Sequence, residues 1–183
     1  MHTKFLLSAA LLGGVVLFAF SAAYHMVLPW ESWALNEFKD SKALNDVVRA
    51  TAPRNGVYYT REGVFAAVAY LPDFSDKSQA MGGAMATEFG KDVVVALLLA
   101  LILPWTRTAT VLGRGALLGS IGLAAALSEH VSDWNWYGFS GPFTVLTMGD
   151  IVIGWFLAGL AIGWLMRRMH ADPAAAAAAR AAA

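Results

Sequence analysis

SEHVSDWNWYGFSGPFTVLTMGDIVIGWFLAGLAIGWLMRR, residues 128–168, decides the fold. Its second half is a long apolar run, and a helix of about 20 apolar residues crosses a bilayer. Its first half holds Trp134, Trp136 and Tyr137, ring types that collect at the membrane–water interface, and Arg167 and Arg168 close it, as cationic residues close the cytoplasmic end of a span. Glu129, His130 and Asp133 precede the aromatic stretch, and Asp150 lies inside the apolar run. The reading is an integral membrane protein.

Composition agrees. Of 183 residues, 58% are hydrophobic and 14% charged, against about 25% charged in soluble domains. The net charge is zero, which gives no electrostatic case for nucleic acid. With no cysteine, disulfides, thiolate catalysis, iron–sulfur clusters and thiolate zinc sites are excluded. Only helices or closed barrels satisfy their own backbone in lipid, and these continuous runs lack the alternation of barrel strands. The expected fold is an all-α four-transmembrane-helix bundle with a small extracytoplasmic αβ insertion between helices one and two. Residues 1–168 form a single membrane domain, and 169–183 an Ala-rich tail.

The helices are expected at about 5–28, 80–105, 111–131 and 144–166. The first follows Lys4 and ends at Pro29-Trp30. Ser21-Ala22-Ala23 also fits a signal-peptide cleavage site, but the apolar character runs on through Leu28, so a retained helix is expected and cleavage stays open. Residues 30–77 are polar enough to form an outer cap. There Ser41 is expected to cap a short helix ended by Pro53, and Val57–Thr60 and Val64–Leu71 to pair as a hairpin across Arg61-Glu62-Gly63. Gly115 and Gly119 on helix three, and Gly159 and Gly163 on helix four, have the GxxxG spacing that lets helix backbones approach closely, within the chain or toward another subunit. Ser132 to Pro142 is read as a loop without Lys or Arg, whereas Arg107, Arg114, Arg167 and Arg168 flank the opposite ends. Positive charge marks the cytoplasmic side, which puts both termini in the cytoplasm and the cap outside, in a periplasm-like space.

His25, Asp92, Glu129, His130 and Asp150 fall at similar depth near the outer boundary, one or two from each helix. Ionisable groups at membrane depth face the protein or water, and imidazole with carboxylate suits a metal. His25 and His130 would serve as the two axial ligands of a haem b. Against this, no spacing matches HExxH or a paired ExxH pattern. His25 is comfortable at an interface, Asp150 after Gly149 suits an N-cap as well as a buried role, and Glu88 with Lys91 suits a surface pair. Trp30, Trp33, Trp134, Trp136 and Tyr137 are the candidate interface residues. With no catalytic motif, the expectation is an accessory, assembly or interaction subunit with no activity of its own. It sits in the lipid bilayer and contacts a protein partner in the membrane or periplasm. A metal- or haem-binding membrane protein is the alternative.

The phrases AYHMVLP, WNWYGF and DIVIGWFLAG resemble a group of small bacterial inner-membrane proteins with four helices and no established activity. The resemblance covers the helix ends and helix four. It implies the same architecture and location, and assigns no catalytic or binding residue.

Overall fold

The computed structural model describes residues 3–70 and 77–170. These are mostly helical, with one small sheet. Helix α1 spans Thr3–Val27, α2 Trp30–Ala34, α3 Ser41–Thr51, α4 Lys77–Ile102, α5 Val111–Tyr137 and α6 Gly141–His170, and strands β1 (Gly56–Tyr59) and β2 (Phe65–Val68) lie between α3 and α4.

Among the described residues three helices, α1, α5 and α6, are long and apolar enough to cross a membrane. Helix α4 is as long, but Glu88, Lys91 and Asp92 interrupt its apolar course. The long helices form a bent row rather than a closed bundle. Helix α1 packs on α4 and α6, α6 packs on α1 and α5, and α4 touches α6 only lightly. The core runs along this row through Phe5, Ala9 and Leu17 of α1, Ala96, Leu99 and Ala100 of α4, Leu118 of α5, and Ala158 and Ile162 of α6. Close approach depends on glycine. A methyl on Gly14 would sit 2.9 Å from the Cα of Val93, so α1 and α4 could not meet there with any larger residue. Both GxxxG pairs face inward across the α5–α6 contact, where Gly115 and Gly159 meet backbone to backbone.

The ends follow local chemistry, with three departures from the sequence reading. Pro104 falls in a 3-10 turn after α4, and the Thr110 hydroxyl accepts the Gly113 N–H at 3.0 Å to start α5. First, the Trp-rich stretch is not a loop. Helix α5 continues through Trp134-Asn135-Trp136-Tyr137 until Gly138, at φ +71°, reverses the chain and donates its N–H to the Asp133 carbonyl. Only glycine takes that conformation without penalty, so Gly138 sets the stop. Second, α6 begins at Gly141-Pro142, where proline suits a first helical turn. Asp150 therefore sits nine residues in, about 13.5 Å along the axis at 1.5 Å per residue, and is no N-cap. Third, Asp40 rather than Ser41 caps α3, accepting the Ala43 N–H at 2.9 Å.

In the cap, β1 and β2 pair antiparallel with Tyr58 opposite Ala66, and Gly63 at φ +94° turns the hairpin. Tyr70 ties it to α3. Its hydroxyl lies 2.7 Å from the Ala52 carbonyl and 3.1 Å from that of Val48, and its N–H donates to Asn55 Oδ1. Phe65 stacks on Tyr137 at 4.6 Å, which joins the hairpin to the end of α5. The expected end of the second strand at Leu71-Pro72, and the tail beyond His170, lie outside the described residues.

Candidate polar site between α1, α4 and α6

Ser21, Tyr24 and His25 are spaced i, i+3 and i+4, which puts them on one face of the last turns of α1. That face meets α6. Ser21 Oγ donates to Asp150 Oδ2 at 3.0 Å. His25 Nε2 lies 3.8 Å from the same oxygen, within ion-pair range when the ring is charged and beyond a hydrogen bond. The Tyr24 hydroxyl donates to the Leu146 carbonyl at 3.2 Å, one turn before Asp150. Trp30 closes the group from above. Its ring stands edge-on to His25 at 4.5 Å and near Tyr24 and Phe143, with its indole N–H buried and without a hydrogen-bond partner.

Helix α4 brings a second set. Lys91 Nζ donates to Glu88 Oε1 and lies 3.3 Å from Asp92 Oδ1. Asp92 is only 4% exposed, and its Oδ2 is buried with no partner. That is an expensive arrangement, because an ionised carboxylate needs its lone pairs satisfied when it leaves water. Asp92, Asp150, Ser21 and Lys91 line one cavity of about 50 Å³, with Leu17 and Phe20 on its apolar side.

The five groups expected at one depth therefore do not converge. His25 and Asp150 meet, and Asp92 shares the cavity with Asp150. Glu129 is exposed on α5, and His130 pairs at 3.8 Å with Asp133 of its own helix. Among the described residues no three His, Asp or Glu side chains come together as a metal site. The two histidines expected as haem ligands engage different partners, and their helices are separated by α6. The physical reason is the row. Helix α6 has one buried face toward α1 and another toward α5, and Asp150 is on the first.

Of the interface candidates, Trp33, Trp134 and Trp136 are exposed, Tyr137 is half exposed and stacked on Phe65, and Trp30 belongs to the polar site instead. Sequence reasoning missed Ser21, read only as part of a cleavage signal, and Tyr24. The signal that finds them is their helical spacing from His25. Glu88 and Lys91 form the surface pair expected of them, and Lys91 also reaches Asp92.

The arrangement can hold a proton or a small cation. No protein family, no curated protein and no solved structure matches the chain, so the likeness of phrasing to four-helix inner-membrane proteins carries no residue role into this site.

Proposed function

We propose that the chain is a small accessory or assembly subunit of a bacterial inner membrane, without catalytic activity, whose outer end docks a protein partner. In this reading all four long helices cross the bilayer, and α4, whose dense apolar run begins at Val93, carries Glu88, Lys91 and Asp92 in its outer third. The lipid assignment is supported by how little of the three apolar helices the protein itself covers. Only 22–33% of their most apolar windows is buried inside the fold, while Leu7, Leu11, Leu98 and Leu112 point outward at 54–66% exposure. Side chains of that kind need an apolar surrounding.

The observation that carries the docking role is the apolar surface at the cap end. Trp136 is 77% exposed, Tyr59 82%, Val57 68% and Phe38 67%. The Phe65–Tyr137 stack links the hairpin to α5 next to Trp134 and Trp136. Exposed aromatic side chains on a structured surface are the usual anchors of a protein interface.

Affinity purification in mild detergent tests this. A partner is expected to accompany the wild-type chain, and Trp136→Ala with Tyr59→Ala is expected to release it. A chain that comes down alone refutes the docking role. Arginines at one end of the helices, and their absence from 132–142, orient the cap outward. A reporter after Arg168 is expected to be active in the cytoplasm and one near Arg54 outside, and the reverse pattern overturns the orientation.

A further inference from the structure

We propose that Asp92, Asp150 and Ser21 form a binding site for a small monovalent cation, sodium or hydronium. The site is independent of the docking role and stands or falls without it.

Four observations converge on it. Asp92 is nine-tenths buried, with Oδ2 lacking any partner, and it lines the cavity shared with Asp150. Its other oxygen is taken by Lys91. Beside the Lys91 ammonium, the groups on that cavity that can ligate a cation are oxygens, two carboxylates and the Ser21 hydroxyl, a set that selects hard cations over those preferring nitrogen or sulfur.

Charge points the same way. Glu88, Asp92 and Asp150 face a single fixed cation, Lys91, with His25 and Tyr24 of α1 the other titratable groups around them. Negative charge in excess at this depth is costly unless a cation joins it.

Size then selects the class. A water needs roughly 10–15 Å³ of such space, so about 50 Å³ takes one ion with a water or two and no organic ligand. Calcium takes six to eight oxygens and magnesium keeps several waters of its own, and a cavity of about 50 Å³ has no room for either shell.

Neighbouring clefts share side chains with it: Ser21 also lines one of about 330 Å³ with His25 and Glu88, and His25 lines one of about 360 Å³ with Trp30 and Ser32.

The test uses the full chain in neutral-lipid nanodiscs, with melting followed by tryptophan fluorescence. Sodium chloride is exchanged for choline chloride at constant ionic strength, and pH is then varied without sodium. If sodium is the ligand, the melting temperature rises with sodium concentration. Asp92→Asn and Asp150→Asn weaken apparent affinity at least about tenfold, and Ser21→Ala weakens it a few-fold. If hydronium is the ligand, sodium has no effect and the melting temperature follows pH in the wild type but not in Asp92→Asn. A wild type indifferent to both, or Asp→Asn variants that keep its dependence, overturns the proposal. Should Asp92→Asn fail to fold, sodium-23 relaxation on the wild type, Ser21→Ala and Asp150→Asn decides. Equal relaxation in all three overturns the proposal as well.

Discussion

Gly159→Ala tests whether the α5–α6 contact holds the row together. A methyl at Gly159 would lie 2.8 Å from the Cα of Gly115 and 2.9 Å from the carbonyl oxygen of Arg114. Both are backbone atoms, so no side chain can rotate away. Ordinary contact begins at 3.4 Å, so α5 must retreat by about 0.6 Å, the difference between 3.4 and 2.8 Å. The retreat also loosens the neighbouring contacts of Gly119 with Phe156 and Gly122 with Trp155. Overpacking of this kind costs about 1–3 kcal/mol. Alanine also favours helix over glycine by about 1 kcal/mol, which works in the opposite direction. Gly90→Ala supplies the control, since nothing lies within 4 Å of a methyl there. It gains the helix preference without a clash. Thermal melts of the two variants in the same detergent should therefore differ by the packing term alone, with Gly159→Ala the less stable by about 1–3 kcal/mol. At about 2–4 °C per kcal/mol for a chain of this size, the gap is measurable. A Gly159→Ala protein as stable as Gly90→Ala would refute the close-packed interface.

Two further substitutions address the ends. Tyr70→Phe removes the hydroxyl that reaches the Ala52 and Val48 carbonyls. It should cost the cap about 1 kcal/mol, seen as faster amide exchange over residues 41–68 with no change in the long helices. Gly138→Ala forces a Cβ into φ +71°, a strain of about 1–2 kcal/mol, and should fray the last turn of α5. Quenching of Trp134 and Trp136 fluorescence reports it, and an unchanged quenching profile contradicts the assigned helix stop.

The long helices were legible because their apolar runs are long, and Pro29 and Pro104 close the first two. The aromatic stretch misled. Apolar periodicity fades after Val131, and Trp, Tyr, Asn and Asp are indifferent helix formers, so the pattern alone reads as a loop. The decisive residue was Gly138, whose left-handed conformation ends the helix wherever the pattern ends. Asp40 displaced Ser41 as a cap for a related reason. Both side chains can accept the bond, and adjacent candidates of equal chemistry are separated only by which one the chain leaves extended.

Facing direction was the limit at the candidate site. His130 shares a helical face with Ala126 and Gly122, and Asp150 shares one with Gly154; each is a small-residue face, and each is buried. Inward is nevertheless ambiguous for a helix flanked on two sides. Gly154 meets Leu17 and Phe20 of α1, whereas Trp155 and Ile151, one residue along, meet Gly122 of α5. A step of one residue turns the helix by about 100°, enough to pass from one neighbour to the other. Asp150 therefore joins Ser21 and His25, and His130 is left to pair within its own helix. Depth along the axis is readable from residue count, but the neighbour met at that depth depends on the order of helices in the row. That order is set by glycine contacts such as Gly14 on Val93 and Gly159 on Gly115, and spacing within one helix does not reveal which neighbour fills each gap.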